Sequence, residues 1–101
     1  MNAREPFAFI HPDTGLETTE TRCEHARLLH ALHGERGGWI EAFDLAIVLR
    51  SIEVHARMNG IKKRHGSNLI HKRAGRKGQN GRRLNEYRLN PDVQVIKREG
   101  E

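Results

Sequence analysis

The side chains whose types and spacing could do chemistry fall between residues 51 and 83. Arg57 and Asn59 stand two apart in a basic stretch, and an arginine can pair with guanine, an asparagine with adenine, through two hydrogen bonds each. His55 is a third, weaker candidate for a base edge. Ser51, Lys62, Lys63, Arg64, Arg76, Lys77, Arg82 and Arg83 are hydroxyl and cationic groups suited to phosphate oxygens, which hold a protein in register without reading sequence. The alternative for Arg57 is a flank position whose aliphatic stem covers apolar surface.

Dividing the chain by position shows why a polyanion is the expected partner. Residues 1–49 carry 4 basic and 8 acidic side chains, a balance of −4, whereas residues 50–89 carry 12 basic and 2 acidic, a balance of +10. Residues 90–101 return to −1, and the whole chain is +5. A dozen cations within forty residues repel one another, which weakens folding unless a partner of opposite sign selects for them. The plain alternative is a solvated Lys/Arg face with no ligand.

Other classes of function find little support. No nucleophile has a neighbouring base, no phosphate-cradling glycine loop precedes a helix, and no pair of carboxylates is set for acid and base roles, so the chain is not expected to be an enzyme. The glycines from Gly75 to Gly81 lie between strand-like stretches. The single cysteine, Cys23, excludes an intramolecular disulfide and a multi-thiolate zinc site, and it fits a cytoplasmic setting. Of the 7 histidines, His30 and His33 are spaced i, i+3 with His25 near them, but no acidic or thiolate group sits at ligand spacing, so neither metal nor cofactor is expected. His25 reads as a satisfied core imidazole. His65 and His71, beside the basic region, could add charge at mildly acidic pH. No apolar run approaches the roughly 20 residues that span a bilayer, so no membrane partner is expected.

The elements that must position these side chains can be read from periodicity. Residues 1–18, with Phe7-Ala8-Phe9-Ile10 and the turn-forming His11-Pro12-Asp13-Thr14-Gly15, read as an N-terminal arm. Its phenylalanines would pack either on the domain or on a second copy. Thr21-Arg22-Cys23-Glu24 matches a capping box, and the helix after it, to about His33, places His25, Leu28, Leu29 and Leu32 on one stripe. Trp39-Ile40 is a short strand. A second helix from Glu41 to Leu49 has Ala42, Leu45, Ala46 and Leu49 on one side and Phe43 and Ile47 on another, which predicts the most buried segment of the domain. Ser51 would cap a third helix to about His65, with Val54, Met58 and Ile61 inward and Ala56, Asn59, Gly60 and Lys63 outward. Gly60 on that outer face would let a partner approach closely. Residues 68–73 and 84–89 form a hairpin around a basic loop with Asn80-Gly81 near its tip, and residues 90–101 read as a frayed tail.

This order, with Gly38-Trp39-Ile40, Asp44-Leu45-Ala46, Ser51 through Ile61 and Asn80-Gly81-Arg82 to Tyr87-Arg88-Leu89, resembles the small phage- and prophage-type winged helix-turn-helix proteins over residues 19–89. The resemblance implies an α+β fold in which a three-helix core carries a C-terminal β-hairpin wing and a short strand precedes the second helix. It further implies binding to double-stranded DNA, as a transcriptional regulator or an accessory factor of phage DNA metabolism. The third helix would lie in the major groove and the wing on phosphates. A palindromic site would require a homodimer, formed through the N-terminal arm or the first helix. The competing class is a winged-helix protein interaction module for an acidic partner.

Overall fold

Phe7-Ala8-Phe9-Ile10 has strand composition, and the residues after it fold the chain back on itself. In the computed structural model, which describes residues 5–50, 53–77 and 83–96, with only the backbone at 76, 77 and 83, β1 (Phe7–Ile10) pairs antiparallel with β2 (Glu17–Glu20). The Gly15 amide donates to the His11 carbonyl at 2.9 Å, and Gly15 takes a φ of 71° that suits a residue without Cβ. Phe7 and Phe9 are fully buried. The segment expected as an arm therefore supplies two of the largest core side chains, in cis. Residues 90–96 of the expected frayed tail also join the domain. Val93 is buried, Phe9 bridges to Val95, and the Ile96 amide donates to the Ala8 carbonyl at 2.9 Å, so the far edge of β1 is paired as well.

Helix α1 (Cys23–Gly34) follows, with His25, Leu28, Leu29 and Leu32 buried as one stripe beside Ala26. Its start differs from the capping box. Arg22 is the N-cap and makes no side-chain cap bond. The Glu20 carboxylate, two residues earlier, accepts the Arg22 amide at 3.1 Å, because that residue is already fixed by its place on β2.

The second helix contradicts the expectation most clearly. α2 (Ala42–Leu49) buries only Leu45 fully, with Ala42, Ala46 and Leu49 partly buried behind it. Phe43, Ile47 and Val48 are 63, 60 and 62 % exposed. A helix apolar on two sides needs a neighbour on each, and among the described residues only one side has one. The Arg27 guanidinium of α1 donates to the Leu49 carbonyl at 3.2 Å, tying down the C-terminal end of α2.

Helix α3 (Val54–His65) packs Val54, Met58, Ile61 and His65 inward. The expected cap, Ser51, lies outside the described residues, and Glu53 occupies the N-cap position. Gly60 does not face outward. A Cβ there would stand 2.8 Å from Nε2 of the buried His25, so the missing side chain lets α3 approach α1 and not an outside partner. A glycine leaves no mark in a hydropathy pattern, and position 60 sits on the flank turned towards α1.

The second sheet holds β3 (Ile40–Glu41), β4 (Ile70–Lys77) and β5 (Arg83–Leu89) in the order β3-β5-β4, all antiparallel. The strands of the hairpin run longer than expected, and a register shift between Ala74 and Lys77 accommodates Gly75, where a Cβ would run into the Leu84 carbonyl oxygen. Asn80-Gly81 lies outside the described residues. Ile70, Tyr87 and Leu89 share the sheet face turned to the core. The result is an α+β fold of three helices and two small antiparallel sheets among the described residues, around one core of Phe7, Phe9, Leu28, Leu29, Leu32, Leu45, Val54, Met58, Ile61, Leu69, Tyr87 and Leu89. No described helix is long and apolar enough to cross a membrane.

The close approach of α3 to α1 reverses the usual sign of a helix glycine substitution. Gly60→Ala is expected to lower unfolding free energy by roughly 1–3 kcal/mol through overpacking against His25. Gly34→Ala, where nothing lies within 4 Å, should raise it by up to about 1 kcal/mol. Urea melts of the two variants check this.

Candidate functional site

The position of α3 is set by a carboxylate with no exposure. Glu20 lies opposite Phe7 in the β1–β2 register and is 0 % exposed. Its Oε1 is 3.1 Å from each of His25 Nδ1 on α1, His65 Nε2 on α3 and Arg64 Nε on α3, while Oε2 accepts the Arg22 amide. Burial alone would raise the pKa of this carboxyl. The Arg22 amide, the two imidazoles and the Arg64 guanidinium outweigh that and hold it below its ordinary value. His11 extends the cluster: its Nδ1 accepts the Asp13 amide at 3.0 Å, so its Nε2 is the donor to the His65 carbonyl at 2.7 Å. One charged residue thus ties the first hairpin, α1 and the C-terminal end of α3 together.

The expected base-contacting residues of α3 separate onto different flanks. Arg57 is half-buried on the α1 side, 3.0 Å from Glu53 and 3.5 Å from Glu24, so its guanidinium is already shared by two carboxylates. His55 is exposed, but its Nδ1 is 3.2 Å from the Tyr87 hydroxyl of β5. Asn59 is exposed on the solvent side, and beside it Lys62 and Lys63 are exposed with no carboxylate partner among the described residues. Arg64 is committed to Glu20. Arg76, Lys77 and Arg83 lie on β4 and β5 by their backbone, and Ser51 and Arg82 fall outside the described residues.

Beside α3 a groove of about 440 Å³ opens towards the second sheet, lined by Asn59, Lys62, Ser67, His71, Lys72, Tyr87 and Trp39 with Met58 and Ile61 at its floor. Lys72 is exposed and has no acidic partner among the described residues. Sequence reasoning placed it in a strand without assigning it a role. Its register opposite Tyr87 is the signal that brings it to the groove.

A second arrangement was also missed. The Trp39 ring carries two guanidinium groups, Arg73 at 4.2 Å and Arg88 at 4.6 Å from its centroid. Arg73 also pairs with Glu86 at 2.7 Å, and Arg88 Nε donates to His71 Nδ1 at 3.0 Å. His71 therefore acts as an acceptor inside the sheet, and these cations brace the β4–β5 hairpin from the face opposite Tyr87. His30, one of the histidines weighed as metal ligands, reaches the Pro6 carbonyl at 3.1 Å and meets Phe7 edge-on at 5.0 Å. Among the described residues no group of three or more His, Cys, Asp or Glu is placed to hold a metal ion.

Comparison of the chain with protein-family models, with curated proteins and with solved structures finds no match.

The Glu20 cluster makes stability depend on pH in a fixed direction. Its folded pKa lies below the ordinary value of 4.5, so the unfolded chain takes up the proton first as pH falls. The contribution of Glu20 is then complete above about pH 6 and is lost as pH drops through the folded value. Glu20→Gln should cost about 3 kcal/mol or more near neutrality, since three cationic or hydrogen-bonding partners lose their anion. The gap between wild type and variant should close towards pH 3, as read from denaturant melts across this range.

Proposed function

We propose that the chain is a winged helix-turn-helix protein that binds double-stranded DNA, with α2 and α3 as the helix-turn-helix and the β4–β5 hairpin as the wing. The order α1, β3, α2, α3, β4, β5 and the sheet order β3-β5-β4 support this reading of the fold. The observation that carries the function is the state of the cations. Among the described residues Lys62 and Lys63 on the exposed side of α3, beside Asn59, and Lys72 across the groove meet no carboxylate, while Arg57, Arg64 and Arg73 are each neutralised within the chain. A helix so arranged offers a polar side chain for base edges, flanked by lysines for the phosphates on either side of a major groove about 12 Å wide.

In this reading Asn59 is the base-reading side chain, with His55 beside it. Lys62, Lys63 and Lys72 contact phosphates, joined by Arg76, Lys77, Arg82 and Arg83 of the wing. Arg57 holds the flank of α3 to α1 through Glu24. Arg64 positions the helix through Glu20. The chemistry asked of the protein is binding alone, and regulation of transcription or service to phage DNA metabolism is the role such binding would suit.

The test is a salt titration of binding to a duplex selected from a random library. Replacing Lys62, Lys63 and Lys72 with alanine should weaken all sequences alike and flatten the log–log salt slope by about 0.9 for each phosphate contact removed. Asn59→Ala should leave the slope unchanged and cost about 1–3 kcal/mol of discrimination at one base position. An unchanged slope in the triple variant contradicts the assignment of the phosphate contacts.

A further inference from the structure

Phe43, Ile47 and Val48 on α2 are each exposed by 60 % or more in a chain whose hydrophobic content is only 36 %. Phe43 and Ile47 share the side of α2 opposite Leu45, the one fully buried residue of that helix, and Val48 lies on the adjoining flank. Two charged residues lie at the ends of this apolar patch. Asp44 is exposed in the first turn, and Arg50 is exposed at the C-cap, where the backbone turns left-handed. Neither has an ion-pair partner among the described residues.

Asp44 and Ile47 are spaced i, i+3 on one ridge of the helix surface, and Arg50, at the left-handed C-cap, lies about 9 Å along the axis from Asp44. The order of charges along the axis, negative, neutral, positive, is complementary to itself when reversed. We infer that this face of α2 is the contact for a second copy of the chain, with the two helices antiparallel about a two-fold axis at Ile47. Each Asp44 then stands opposite the partner's Arg50, while Phe43 and Val48 of both copies close around the paired isoleucines. Such a contact is isologous and ends at two copies.

The pattern favours self-association over other occupants. A partner carrying one sign of charge would be attracted at one end of the patch and repelled at the other. The route through the N-terminal arm is closed, because Phe7 and Phe9 are spent inside the monomer. The patch is also far smaller than the about 20–30 residues a side of a standard stable interface. The dimer is therefore reversible in solution, and it tightens where two copies are held on one duplex.

Sedimentation equilibrium of the full chain without DNA tests this apart from any DNA binding. The average mass should rise towards that of a dimer between micromolar and millimolar concentration. Ile47→Asp should weaken the dissociation constant by about tenfold or more, the effect of about 1.4 kcal/mol. Asp44→Arg and Arg50→Asp should each weaken it, and the two together should restore it to within about threefold, a pattern that loss of folding cannot produce. A monomer at every concentration overturns the inference. So does a dimer that Ile47→Asp leaves intact, a charge-swapped pair that fails to recover, or a monomer that instead binds a different protein through this face.

Discussion

The Glu20 carboxylate is fully buried, and its two oxygens are surrounded by an amide, two imidazoles and a guanidinium drawn from α1 with its N-cap and from α3. A buried charge is tolerated only when every lone pair is met, so the positions of β2, α1 and the last turn of α3 are coupled through one residue. Because Arg64 and His65 belong to that last turn, the axis of α3 is held at the same point. The exposed side of α3, with Asn59, Lys62 and Lys63, is presented as a consequence of that anchoring. Gly60 serves the same end, since only a residue without a side chain lets α3 come this near to His25.

The charge asymmetry of the sequence takes on a different meaning once the partners are known. Part of the acidic N-terminal half serves the basic C-terminal half: Glu20 and Glu24 neutralise Arg64 and Arg57. Arg73 is matched locally by Glu86. Among the described residues Lys62 and Lys63 on α3 and Lys72 on β4 stay without a carboxylate, and Lys62 and Lys72 line a groove together with Asn59. The surplus for a polyanion is therefore narrower than the count of +10 over residues 50–89 suggests.

The helical stripes were legible because they are local. Val54, Met58 and Ile61, and equally His25, Leu28, Leu29 and Leu32, repeat at the helical period, and periodicity alone places them inward. The strands of the second sheet were legible in kind but short in extent. The first hairpin and the residues around Val95 were read as loose ends, because pairing Phe9 with a residue 86 positions away leaves no sign in either segment. The exposed face of α2 misled for the opposite reason: apolar residues on two sides of a helix imply two neighbours, and among the described residues only one is present. Arg57 is occupied by two carboxylates: Glu53, four residues earlier, is within reach of the sequence, whereas Glu24 lies on another helix and leaves no local sign. The signal for Lys72 existed, in the alternation of β4, but it needed the register with Tyr87 to acquire meaning.

The account turns on whether the unpaired side of α3 and the neighbouring hairpin are the surface that meets a duplex. Titration of nitrogen-15-labelled protein with a short duplex at low salt, followed by amide and side-chain shifts, asks this directly. Shifts clustered on residues 55–63, on Lys72 and along β4 and β5, with the Asn59 side-chain amide among the most affected and the β1–β2 hairpin silent, are the predicted result. Spectra unmoved by excess duplex, or shifts gathered on the first hairpin with α3 unchanged, would contradict it.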